Sequence, residues 1–142
     1  MQEFSLNTKN VQADLKLYHK YTLIDGYSGS GKSLFIREVR SAIDIGSSNL
    51  RSSLPCYVIN SQAELGFMKL VLDRGELAIF IADEHIGYKV IEAAKDKEAY
   101  CIVVSRKKYP DIDAHKSVYE ASRDEKGKTL IKLKGRDEYI EV

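Results

Sequence analysis

Residues Gly26-Tyr27-Ser28-Gly29-Ser30-Gly31-Lys32-Ser33 fit the spacing G-x-x-x-x-G-K-[ST], a pattern suited to gripping phosphate. A polyphosphate is densely negative and needs many donors at short range. Gly26, Gly29 and Gly31 let successive backbone N–H groups turn inward. A helix starting near Lys32 would add its positive dipole end. Lys32 is expected to reach the β- and γ-phosphates, and the Ser33 hydroxyl to ligate Mg²⁺. Tyr27, Ser28 and Ser30 complete the expected nucleotide-binding bend. The apolar run Tyr21-Thr22-Leu23-Ile24 precedes it and the helical pattern Leu34-Phe35-Ile36-Arg37-Glu38-Val39 follows, so the bend sits between a strand and a helix.

A second group of reactive residues follows Leu77-Ala78-Ile79-Phe80-Ile81-Ala82. Asp83 and Glu84 end that run, where two carboxylates are costly unless a cation or donors compensate them. The pair resembles Walker B of the P-loop nucleoside triphosphatases, which implies that Asp83 holds Mg²⁺ and Glu84 polarises an attacking water as general base. Either acid could instead cap the next helix. Ser105 and Arg106 follow a further apolar run, Tyr100-Cys101-Ile102-Val103-Val104. The same resemblance implies a polar sensor at this strand tip, a role Ser105 suits. Arg106 could reach a γ-phosphate or pair with surface acids, and Lys32, Glu84 and Arg106 form the implied catalytic set. His85 reads as a helix-start residue, and His19 and His115 have no visible partners. Arg106-Lys107-Lys108 reads as a solvated basic loop.

The elements that must position these groups are legible as patterns. Phe4 and Leu6, then Val11, Ala13, Leu15 and Leu17, alternate with polar residues around a turn at 7–10, which predicts an N-terminal hairpin. A helix is expected over 32–44, stopped by Gly46, then a polar connection over 47–53 and a strand over 56–59. Ser61 and Glu64 form a capping box for a helix ending near Gly75. A strand at 77–82, a helix at 88–94 and a strand at 100–104 come next. Residues 117–121 and 129–133 flank a turn at 124–127 and predict a C-terminal hairpin, with a last short strand over 139–142. Alternating strands and helices imply an α/β layered fold with a mainly parallel sheet, whose ligands bind beyond the carboxyl ends of the strands.

Length and charge bound the rest. The chain has 142 residues, which suggests one domain over 1–142 and leaves room for a homo-oligomer or a partner protein to complete the site. Its 22 basic and 21 acidic residues give a net charge of +1, so nothing demands nucleic acid or a membrane. Without a long apolar run or a signal-peptide pattern, a cytoplasmic protein is expected. Cys56 and Cys101 lie in strand-like runs and read as reduced core thiols, with no spacing that suggests zinc.

On residues 21–44 and 77–106 the chain resembles the P-loop nucleoside triphosphatases, the bend matching Walker A and Asp83-Glu84 matching Walker B with an added glutamate. The resemblance points to the branch of RecA-like, AAA+, ABC and packaging ATPases. It implies a three-layer P-loop core carrying N- and C-terminal β-hairpin additions. It also implies ATP and Mg²⁺ as ligands, with hydrolysis coupled to a partner or process. No Asn-Lys-x-Asp motif supports GTP, and neither a Leu-Ser-Gly-Gly signature nor an AAA+ lid is present. Two other functions fit the same residues: a small-molecule or nucleotide kinase, and a nucleotide-gated interaction module with little turnover. Arg106, Arg123 and Arg136 are candidate fingers offered to a neighbouring molecule.

Overall fold

Strict alternation makes β2 (Val11–Leu17) a strand with one wet and one dry face, and every second residue is buried. It pairs antiparallel with β1 (Gln2–Asn7), as the N-terminal pattern predicts. The computed structural model describes residues 1–27, 29–106, 109 and 116–133. The further elements are β3 (Tyr21–Asp25), α1 (Lys32–Ile45), β4 (Leu50–Ser52), β5 (Cys56–Ile59), α2 (Gln62–Asp73), β6 (Ile79–Ala82), α3 (Glu84–Ala94), β7 (Tyr100–Val104), β8 (Lys116–Arg123) and β9 (Thr129–Leu133). The expected strand over 139–142 lies outside the described residues, as do Ser28, Lys107, Lys108, His115 and Arg136.

The expected three-layer P-loop core with a mainly parallel sheet is corrected by the arrangement of these strands. All nine form one mixed sheet, in the order β4-β1-β2-β9-β8-β3-β7-β6-β5. Three of its eight pairings are antiparallel, and the described residues hold only three helices. The two hairpins are not additions to a separate core. A parallel pairing of β2 with β9 joins them into the middle of the sheet. Only residues 53–55 separate β4 from β5, the two ends of the strand order, and both touch α1. The sheet therefore curls into a nearly closed barrel around that helix.

Burial follows from this curl. Phe35, Ile36, Val39 and Ala42 of α1 pack against the inner faces of most strands, including Phe4, Leu15, Ile24, Ile81 and Ile131. Burying a Phe35-sized side chain contributes about 2 kcal/mol, and its ring meets that of Phe4 edge-on at 6.2 Å. Outside the barrel, α2 and α3 cover β5, β6 and β7 through Met68, Leu72, Val90 and Ala94. β6 is buried on both faces, as its unbroken apolar run predicts. Ile79 and Ile81 face inward, while Phe80 and Ala82 face α2 and α3. The two cysteines are free thiols, and burial pushes Cys101 up to about 12. Among the described residues no helix is long and apolar enough to cross a membrane.

Helix ends obey the local signals. Gly46 closes α1 in a left-handed conformation, donating to Ile43 O while Ser47 N donates to Ala42 O. Ser61 Oγ accepts from Glu64 N at 3.2 Å, one half of the expected capping box; the Glu64 carboxylate accepts from Asn60 N at 2.8 Å. Glu64 also binds Arg40 through two hydrogen bonds, at 2.8 and 3.0 Å, tying α2 to α1. Its hydrogen bonds to the Arg40 guanidinium hold the carboxyl below its ordinary value of 4.5, against a smaller opposing effect of burial. Linkage then fixes the sign: this stabilisation is full above that ordinary value and is lost as pH falls through the depressed one. In denaturant titrations, Glu64→Gln should therefore be less stable than wild type at pH 7, and the gap should shrink below pH 4.5.

Candidate functional site

The parallel register brings the reactive residues to one edge of the sheet. Ile24 of β3 pairs with Val104 of β7, and Val103 of β7 pairs with Ala82 of β6. The segments that follow these three strands, beginning at Gly26, Ser105 and Asp83, therefore leave from the same end. β7 lies between β3 and β6. β8 flanks β3 on the other side, Asp25 pairing with Glu120.

The bend itself is tightly supported. Gly26 N donates to Asp25 Oδ1 at 2.7 Å, and Ser30 N donates to Tyr27 O at 3.1 Å. Gly31 precedes α1 without a side-chain cap, at φ 100°, a left-handed conformation that side chains resist. A Cβ added there would lie 1.9 Å from Thr129 Oγ1. One added at Gly26 would lie 2.6 Å from Ser30 Oγ and 2.9 Å from the Ala121 carbonyl oxygen. The bend is thus pressed against the β8–β9 hairpin, and glycine is what allows the approach. Lys32 Nζ donates to the Gly26 carbonyl.

A cavity of about 400 Å³ opens over the bend. Tyr27, Gly29, Ser30, Gly31, Lys32, Ser33, Leu34, Arg37, Glu84, Arg106 and Arg123 line it. Four of these side chains are cationic and one is a carboxylate, in a chain whose net charge is only +1. Burial lowers the Lys32 ammonium below its ordinary value, and the nearby Arg106 charge adds to this; Asp25 and Glu84 act the other way. Such a concentration of like charge is the electrostatic form of a polyanion site. Ser30 Oγ is buried beneath the bend against Gly26 and has no hydrogen-bond partner among the described residues, an unusual state for a buried polar atom.

The candidate residues separate here. Glu84 reaches the cavity wall, and its Oε1 accepts from Arg106 N at 3.2 Å. Arg106 lines the same wall. Asp83 does not. It stands as the N-cap of α3, with Oδ1 accepting from Glu84 N at 2.7 Å and Oδ2 lying 3.9 Å from His85 Nδ1. Ser105 also stands back from the cavity. It is buried, its N donates to Ile24 O at 3.0 Å, and its Oγ accepts from Tyr109 Oη at 3.2 Å. Among the described residues no three His, Cys, Asp or Glu side chains gather for a metal. Of the expected Mg²⁺ ligands, Ser33 alone lines the cavity.

Two cations were not assigned to this wall from the sequence. Arg37 follows Ser33 by four residues and therefore shares its helix face, a spacing that could have placed it. Arg123 belongs to β8 and reaches its own chain's cavity; nothing local to the bend encodes that pairing. A second cavity, of about 410 Å³, opens beside the end of the β2–β9 pairing, with Lys16, Lys132 and Asp14 among its lining residues.

Compared with protein-family models and with curated proteins, the chain matches none. The resemblance to P-loop nucleoside triphosphatases is corrected on that ground and on the fold. The Gly-Lys-Ser bend is a short local match. Around it, among the described residues, stands a curled nine-stranded mixed sheet with three helices, not a helix-rich parallel core.

The geometry has two consequences for stability. Asp83→Ala should lower it by about 1 kcal/mol through loss of the α3 cap, while Asp83→Asn, which can still cap, should be nearly neutral in urea melts. Gly31→Ala should cost about 2 kcal/mol or more in the same melts, because the added methyl meets Thr129 and the backbone is left-handed.

Proposed function

We propose that the chain binds ATP at the 26–33 bend and hydrolyses it as the Mg²⁺ chelate. One observation carries this reading: the glycine bend, Lys32, Arg37, Arg106, Arg123 and Glu84 meet on one cavity of about 400 Å³. The bend's amides and the four cations would offset the phosphate charges. Ser33 would meet the metal that arrives with the nucleotide. Glu84, oriented by the Arg106 amide, would take a proton from an attacking water. Tyr27, exposed at the cavity, offers a ring face to the remainder of the nucleotide. ATP is preferred to GTP because the chain carries no Asn-Lys-x-Asp motif.

A second reading draws on Asp83. Its carboxylate is engaged at the start of α3, which leaves the metal with few protein ligands. That favours a nucleotide-gated interaction module with slow turnover, in which ATP shifts the balance between two shapes. One pair of measurements separates the readings. Lys32→Ala should weaken ATP binding at least ~10-fold by calorimetry, since a charge-assisted contact is lost. Glu84→Gln should retain ATP binding and hydrolyse it ~100-fold more slowly than wild type. A wild type that binds ATP without measurable phosphate release selects the gated module. A wild type that takes up no ATP rejects both.

A further inference from the structure

We infer that Arg123, carried by the β8–β9 hairpin, completes the phosphate site within one chain by contacting the terminal phosphate. This deepens the nucleotide-binding reading above and rests on it. Arg123 and Thr129 are the last cross-strand pair of the hairpin. Directly paired residues in an antiparallel ladder point to the same face. Thr129 is the residue against which Gly31 packs, so the pairing turns Arg123 toward the bend as well. Arg123 duly lines the cavity with Lys32 and Ser33. Its height along β8 is fixed in two ways. Asp25 pairs with Glu120, three residues before it, and the backbone of Ala121 abuts Gly26. The turn that follows is pinned by Asp124 Oδ1, which accepts from the N–H groups of Lys126 and Lys128 at 2.9 Å each.

The polar lining of the cavity, with the bend, Ser33 and four cations beside Glu84, suits an anionic ligand. Loop amides and Lys32 take up the inner phosphates. The end of the chain, where phosphate charge is greatest, falls to a cation approaching from the hairpin. An arginine suits it, because its fork can hold two phosphate oxygens at once. The hairpin then feels the difference between ATP and ADP, since only ATP engages Arg123.

The test is calorimetric titration of ATP and of ADP, each with Mg²⁺, into wild type, Arg123→Ala and Arg123→Lys. Arg123 is exposed, so both variants should fold; Arg123→Gln replaces any that melts early. Arg123→Ala should bind ATP ~10-fold more weakly with ADP affinity little changed. Arg123→Lys should recover part of the loss. Mixing Arg123→Ala with Lys32→Ala should restore nothing, because each site uses its own arginine. The assignment is overturned if ATP and ADP affinities fall together, if neither changes, or if mixing restores ATP binding through a neighbour's Arg123. A wild type that binds neither nucleotide would sink the site itself and this contact with it.

Discussion

Helix α1 must be enclosed, and the architecture follows from that. Phe35, Ile36, Val39 and Ala42 present apolar surface that one flat sheet could cover only in part. The nine strands cover it by curling, so that β2, β4, β5 and β9 all touch the helix. Thr8 Oγ1 and Asn10 Nδ2 of the first hairpin turn donate to Glu38, securing the helix's wetter side. A helix held this firmly keeps its first turn, and the glycine bend before it, in one place relative to every strand end nearby.

That constraint also accounts for the charge distribution. A chain close to neutrality overall gathers Lys32, Arg37, Arg106 and Arg123 on one cavity, with Glu84 as the one carboxylate among its described lining residues. Cations at close quarters repel one another, and Arg106 adds to the burial that lowers the Lys32 ammonium. Holding them together costs stability unless an anion enters. Fixed donors on a rigid frame lose little when they meet such a ligand, which is the condition under which electrostatic stabilisation is most effective. The same frame explains why Asp83 and Ser105 stand apart from the cavity. Each is taken by a local partner, the α3 N-terminus in one case and Tyr109 in the other.

Legibility in the sequence tracked the range of the interaction responsible. The β2 alternation, the Gly46 stop, the Ser61 cap and the Asp124 turn are short-range effects, and each was read correctly. Leu50–Ser52 has little intrinsic strand character and lies in a segment whose composition predicts a connection; pairing with β1 makes it a strand. The fold class was misread for a similar reason. Alternation reports which faces of a strand are dry but not which strand lies beside it, so the two hairpins read as appendages until the β2–β9 pairing placed them inside the sheet. At the site, the bend and Glu84 could be named from spacing. Arg37 lies one helical turn beyond Ser33, a spacing that could place it. Arg123, a candidate finger for a neighbouring molecule by sequence, lines its own chain's cavity, and nothing local to the bend encodes that.

By itself, then, the sequence determined the bend: glycines where backbone must approach backbone, a lysine and a serine opening a helix, and an apolar strand leading in. These are consequences of residue type and neighbour spacing, and they hold for any fold that tolerates them. Only the tertiary structure decided that the surrounding sheet is mixed and curled, that Asp83 turns to its helix and not to the cavity, and that Arg123, from a distant part of the chain, lines the same cavity as Lys32. Lateral strand order and hairpin docking depend on which apolar faces find each other across long stretches of chain, and no local pattern encodes that choice.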